Sequence, residues 1–351
     1  MKKFFYLISF VTFILSALPT QAKIWRVNNN AGVTADFTTF NGAATAALVL
    51  VGDTLYIEPS ATSYSTGSFT LIKRLVVVGP GFFLDPANGT TPGNPGLQAN
   101  TAISDLQFFR MGPGADGSKF LGITLNGSFY MNGVSNISFE KVFFGGGAYF
   151  EGGTNDGVNF RKCFFNNGIT ISSGVAVITN FVCENNIFYN GAYISLTTLS
   201  GSGNIIRNNS IIGGNVFTLS NAYVANNIFG IGGQSIFTNC TIKNNLFQIA
   251  QTLPVTASNN QLNVNMLNVY VGGVTGSLDS RSALKAGSPA IAAGLTIGTV
   301  ITPDCGAYGA TDPYKLSGIP NIPSIYALTV PVSIPSGSAT MNVTFSTRNT
   351  N

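Results

Sequence analysis

Histidine is absent from this chain of 351 residues. Its absence removes the commonest general base and metal ligand at neutral pH. Charge is scarce as well: Asp, Glu, Lys and Arg make up 9% of the residues, against about 25% in ordinary globular proteins. The 17 basic and 13 acidic side chains are scattered, with a net charge of +4 and no basic stripe, so no nucleic-acid partner is expected. Beyond the first 22 residues no apolar run is long enough to span a bilayer. What the chain has instead is 45% apolar residues, ample for a core, and 41 glycines.

Lys2 and Lys3, an apolar run from Phe4 to Leu18 and the small Ala22 form the pattern of a secretory signal peptide cleaved after Ala22. Export would permit disulfides among the four cysteines. In the repeat described next, however, Cys163 and Cys183 fall on adjacent turns three positions apart, about 10 Å along a strand and beyond disulfide reach. Buried free thiols are expected.

A phrase recurs: "VCENNIFYNG", "IIRNNSIIGG", "YVANNIFGIGG", "TIKNNLFQ", and in weaker form "FEKVFFGGG" and "FRKCFFNNG". Aligned on the second asparagine, one column reads Ile123, Val142, Cys163, Asn186, Asn209, Asn227, Asn245, its members 18 to 23 residues apart. Two positions later stand Leu125, Phe144, Phe165, Phe188, Ile211, Phe229 and Phe247; three positions earlier stand Phe120, Phe139, Phe160, Cys183, Ile206, Val224 and Ile242. Columns that stay apolar at every step mean that successive turns stack into one interior. Asparagine tolerates the left-handed backbone of a tight bend, and identical amides repeated about 4.8 Å apart can bond up and down the stack. Asn186, Asn209, Asn227 and Asn245 therefore read as a structural ladder.

The opening "VGDTLYIEPSATSY" and "FTLIKRLVVVGPG", with the closing "SALKAGSPAIAAG" and "DCGAYGATDPYKLSGIP", resemble secreted Bacteroidetes-type right-handed parallel β-helix proteins of the pectate-lyase-like superfamily, over residues 45 to 325. The expected fold is all-β: a signal peptide at 1–22, an N-terminal cap region at 23–52 with a short helix, a parallel β-helix over 53–314, and a Pro-rich C-terminal strand pair or cap at 315–351.

The chemistry of that superfamily is harder to place. A Ca²⁺-dependent lyase needs a cluster of carboxylates and carbonyls, and a glycosidase needs two carboxylates about 5 to 9.5 Å apart. Here acids come one per turn at best. The column two before the asparagine alternates Glu140, Arg161, Glu184, Arg207 and is expected to face outward as a charge-compensated ladder. The strand after each loop, "GAYF", "GITI" and "GAYI", is expected to present Tyr149, Thr170 and Tyr193 outward, with Glu151, Ser172 and Ser195 two positions on. In the superfamily such a strand floors the substrate groove, and exposed tyrosine suits stacking on sugar rings. The reading is an exported, non-catalytic repeat protein, structural or carbohydrate-contacting, at the cell surface or outside the cell. It acts as a monomer with an extracellular polysaccharide as partner and no metal or cofactor. The alternative is a polysaccharide lyase or glycoside hydrolase using Glu151, Glu140, Arg161, Glu184 and Arg207.

Overall fold

Triplets such as Ser138-Phe139-Glu140 bury only their middle side chain, the alternation of a strand with one wet face. Too short to stand alone, they persist because each pairs with the same triplet of the next turn. The computed structural model describes residues 22–348 except 61, 65–67, 85–104, 107–108, 173–175 and 335. Residues 1–21 of the expected signal peptide and the loop expected at 85–96 lie outside the described residues.

The described chain forms a parallel β-solenoid of about eight turns. Among the described residues three long parallel sheets make its walls, and a fourth of three short strands, Thr154–Asp156, Val177–Thr179 and Leu199–Ser200, lies between the third and the first. Sheet 1 has ten strands and runs from Ile24–Val27 to Thr241–Lys243; sheet 2 has eight, from Asp105–Leu106 to Leu246–Phe247; sheet 3 has eight, from Thr70–Leu71 to Ile236–Thr238. Pairing is in register from turn to turn, for example Phe139 with Phe160, Cys183, Ile206, Val224 and Ile242. Rings stack inside: Phe120, Phe139 and Phe160 at 5.0 Å spacings, and Phe144, Phe165 and Phe188 at 4.6 Å. Each fully buried ring contributes about 1.5–3 kcal/mol of transfer free energy. A short helix, Phe40–Thr45, is capped by the Thr39 hydroxyl and lays Phe40, Ala43 and Ala44 into the same core as the first strands.

The two asparagines of each doublet do different things. The first occupies the left-handed bend between sheets 1 and 2: Asn185, Asn208, Asn226 and Asn244 have φ of 52–57°, as do Lys141 at 54° and Lys162 at 52° in earlier turns. The second points inward and is fully buried. Its Nδ2 donates to the Oδ1 of the next rung, Asn186 to Asn209 at 3.0 Å, Asn209 to Asn227 at 2.9 Å and Asn227 to Asn245 at 2.9 Å, and Asn245 continues to Asn260 at 3.0 Å. The other Nδ2 hydrogen goes to a strand carbonyl, as from Asn209 to Cys183 O at 2.9 Å. Each Oδ1 also accepts the backbone N–H of the preceding rung, beginning with Cys163. A buried amide with two donated and two accepted bonds avoids the desolvation penalty of an unpaired one.

The sequence reading carried the coil from 53 to 314, and the structure differs at both ends. Strand Ile24–Val27 already pairs with Thr54–Ile57, and solenoid pairing ends with the bridges of Lys243 to Ser258 and Leu246 to Gln261. Past Asn265 the chain turns back and runs along the outside of the bend as an irregular return segment to residue 322. It covers the outer face of sheet 2, where Phe164, Ile187, Ile228 and Leu246 pack against Val269, Tyr270, Ala290, Cys305, Ala307 and Tyr314. Apolar doublets such as Phe143-Phe144 and Phe164-Phe165 need cover on both faces, and this segment supplies the outer one. The bend residues hold it. Asn244 Nδ2 donates to Ala293 O, Asn226 to Leu295 O, Asn208 to Asp304 O, and Asn185 to both Ala307 O and Gly309 O.

The tail ends in an antiparallel pair, Ser324–Thr329 with Thr344–Arg348. All four cysteines are free and buried; burial pushes the Cys305 thiol up to about 12.

Candidate functional site

With sheet 2 covered, sheet 3 leaves an outer face to solvent. Its outward file runs Arg110, Tyr130, Tyr149, Thr170, Ser195, Thr218, Ile236, one residue per turn. Tyr130 and Tyr149 stack with centroids 4.9 Å apart and planes 19° from parallel, and the Arg110 guanidinium lies 5.0 Å from the Tyr130 ring. Arg110 also makes a two-pronged bond to Glu151, Nε to Oε2 and Nη2 to Oε1, each 2.9 Å. That bond holds the Glu151 carboxyl below its ordinary range and raises Arg110. One face of Tyr149 is thus occupied by Tyr130, while the other meets the turn of Thr170, where the file changes from rings to small hydroxyls. Glycine makes room here: a Cβ on Gly147 would lie 2.5 Å from the Tyr149 ring, and one on Gly168 would lie 2.6 Å from that of Tyr193.

The expected file of Tyr149, Thr170 and Tyr193 is corrected in one member. Register pairs Thr170 with Ser195, so Tyr193 stands two positions earlier, beside the file and over Gly168. "GAYF" and "GAYI" look alike but are offset. In the first, Ala148 is the buried strand residue that pairs with Ile169, and in the second that place belongs to Ile194, because Gly191 and Ala192 complete a turn. Sequence reasoning also missed Tyr130 and Arg110; the Phe-x-Met pattern of "FRM" and "FYM" at 109–111 and 129–131 was the available signal.

No family model matches the chain, and no curated protein matches it. The site therefore rests on its own geometry.

On sheet 1 the column Glu140, Arg161, Glu184, Arg207 is in register on adjacent strands. Glu184 is bridged on both sides, by Arg207 Nε at 2.5 Å and Arg161 Nη2 at 3.6 Å, while Glu140 meets Lys162 at 3.3 Å. The column was expected to face outward throughout, yet Glu184 is only 7% exposed. The return segment explains this: Thr311 and Asp312 close over it, leaving a recess of about 90 Å³ lined also by Arg161, Lys162, Asn185 and Arg207. Glu151 belongs to sheet 3, so the five candidate catalytic residues are not brought together. Among the described residues no group of three His, Cys, Asp or Glu side chains could hold a metal ion. A second hollow of about 560 Å³, lined by Gln261, Asn263, Asn265, Asn268 and Lys285, sits where the chain leaves the last turn.

Proposed function

We propose that this chain is an exported, non-catalytic right-handed β-helix, akin to the pectate-lyase-like superfamily, that contacts an extracellular polysaccharide through the outer face of sheet 3. The observation that carries this reading is the end of the ring stack at Tyr149, with an aromatic face beside a floor of Thr170, Ser195 and Thr218. A sugar ring offers C–H groups to an aromatic face and hydroxyls to small polar neighbours. The carboxylates support contact rather than chemistry: Glu151 is tied to Arg110, Glu184 to Arg161 and Arg207, and Glu140 to Lys162. The apolar leader ending at Ala22 supports export.

The test is retention on a panel of immobilised neutral and acidic polysaccharides. Binding to at least one is expected, weakened about three- to tenfold by Tyr149→Ala, the worth of one aromatic contact. Equal retention of the variant and the native chain would remove the sheet 3 face from the account. The same incubations are followed for new reducing ends and unsaturated products, and turnover lost in Glu184→Gln or Arg207→Ala would establish catalysis in place of binding.

A further inference from the structure

At its far end the return segment meets the bend file at Lys141. This lysine is fully buried, and its Nζ donates to the Ile319 carbonyl at 2.8 Å and to Asn321 Oδ1. The contact places an amine nitrogen against a carboxamide 180 residues away in sequence. Pro320 presses on the bend of the preceding turn, where a Cβ on Gly122 would lie 2.5 Å from it, so the segment has little room to shift. The charged groups that act on the amine are Glu140, Lys162, Asp312 and Lys315; burial outweighs them and pushes it down to about 8. A neutral, nucleophilic fraction is therefore present near neutral pH.

We propose that Lys141 and Asn321 join in an isopeptide bond that closes the return segment covalently onto the solenoid. Lys141 Nζ attacks Asn321 Cγ, the Nζ–Cγ bond forms, the Cγ–Nδ2 bond breaks, and ammonia leaves. The proton that Nζ sheds on attack is taken up by the departing nitrogen, which leaves as neutral ammonia. No oxidant or co-reactant is needed. The bond supplies a covalent tie that the four free cysteines do not.

The experiment is intact mass spectrometry of the full chain as purified, compared with the mass calculated from its observed N-terminus. The expected result is a deficit of one ammonia, with a branched tryptic peptide joining residues 141 and 321. Asn321→Ala, at an exposed position, restores the calculated mass. Formation followed in freshly refolded protein accelerates as pH rises through about 8. An intact mass equal to the calculated one after prolonged incubation at pH 9 overturns the proposal. So does an ammonia deficit that maps to any other residue.

Discussion

The early and late turns of the solenoid solve the same packing problem with opposite chemistry. At the inward position after the bend, the early turns place Ile123, Val142 and Cys163, and the neighbouring inward file is the stack of Phe120, Phe139 and Phe160. The late turns place Asn186, Asn209, Asn227 and Asn245, and the neighbouring file shrinks to Cys183, Ile206, Val224 and Ile242. Either filling works because like is stacked on like: rings on rings, or amides that complete one another's hydrogen bonds. Cys163 is the seam, apolar in its own turn yet with its backbone N–H bound to the first ladder oxygen at 2.8 Å. The difference teaches that the backbone permits both, and the neighbour one turn away decides which is stable.

The largest effect expected from breaking the comparison is Asn209→Leu, an early-turn residue type set in the middle of the ladder. It takes the acceptor from the Asn186 backbone N–H, and removes one bond each from Asn186 Nδ2, Asn227 Oδ1 and Cys183 O in the interior. A loss of roughly 3–5 kcal/mol is expected by denaturant titration. The converse, Val142→Asn, buries an amide among apolar neighbours with no ladder to join and should cost about 2–4 kcal/mol. Cys163→Asn sharpens the point: at the seam the new amide lies beneath Asn186 Oδ1 and reaches the Phe139 carbonyl that the thiol now contacts, so a change under about 1 kcal/mol is expected.

The first asparagine of each doublet can be separated from the second in the same way. Asn226→Val puts a β-branched residue at φ 57° and removes both bonds to Leu295, whereas Asn226→Gly removes only the bonds. Valine should therefore be the more destabilising by about 1–2 kcal/mol. The smallest effect belongs to the surface pair Arg110–Glu151. Its carboxyl is lowered in the folded state, so the pair's contribution is present above the unfolded carboxylate range and is lost as pH falls through the lowered value. Glu151→Gln should flatten that acid-side slope and change little else.

The columns were legible in the sequence because a stacked interior repeats its demands each turn, and Phe144, Phe165 and Phe188 answer them identically. The return segment was not, because residues 265–322 meet successive bends at irregular intervals, through Ala293, Leu295, Asp304 and Ala307, and carry no period. Its presence was nonetheless written into the doublets Phe143-Phe144, Phe164-Phe165 and Ile228-Phe229, which alternate nowhere and so require cover on both sides. The misplacement of Tyr193 has a similar cause: three matching letters in "GAY" outweighed the turn at Gly191, and only backbone pairing could show which residue faced Thr170. Burial of Glu184 was invisible for the same reason as the segment that buries it.

Hydrogen exchange at the asparagine side chains, read by NMR on the native chain, tests the ladder most directly. The account predicts that the carboxamide protons of Asn186, Asn209 and Asn227 exchange as slowly as the backbone amides of the strands around them, since both protons of each are held in bonds of 2.9–3.0 Å without solvent. Exchange at the rate of a solvent-exposed asparagine at Asn209 would contradict it.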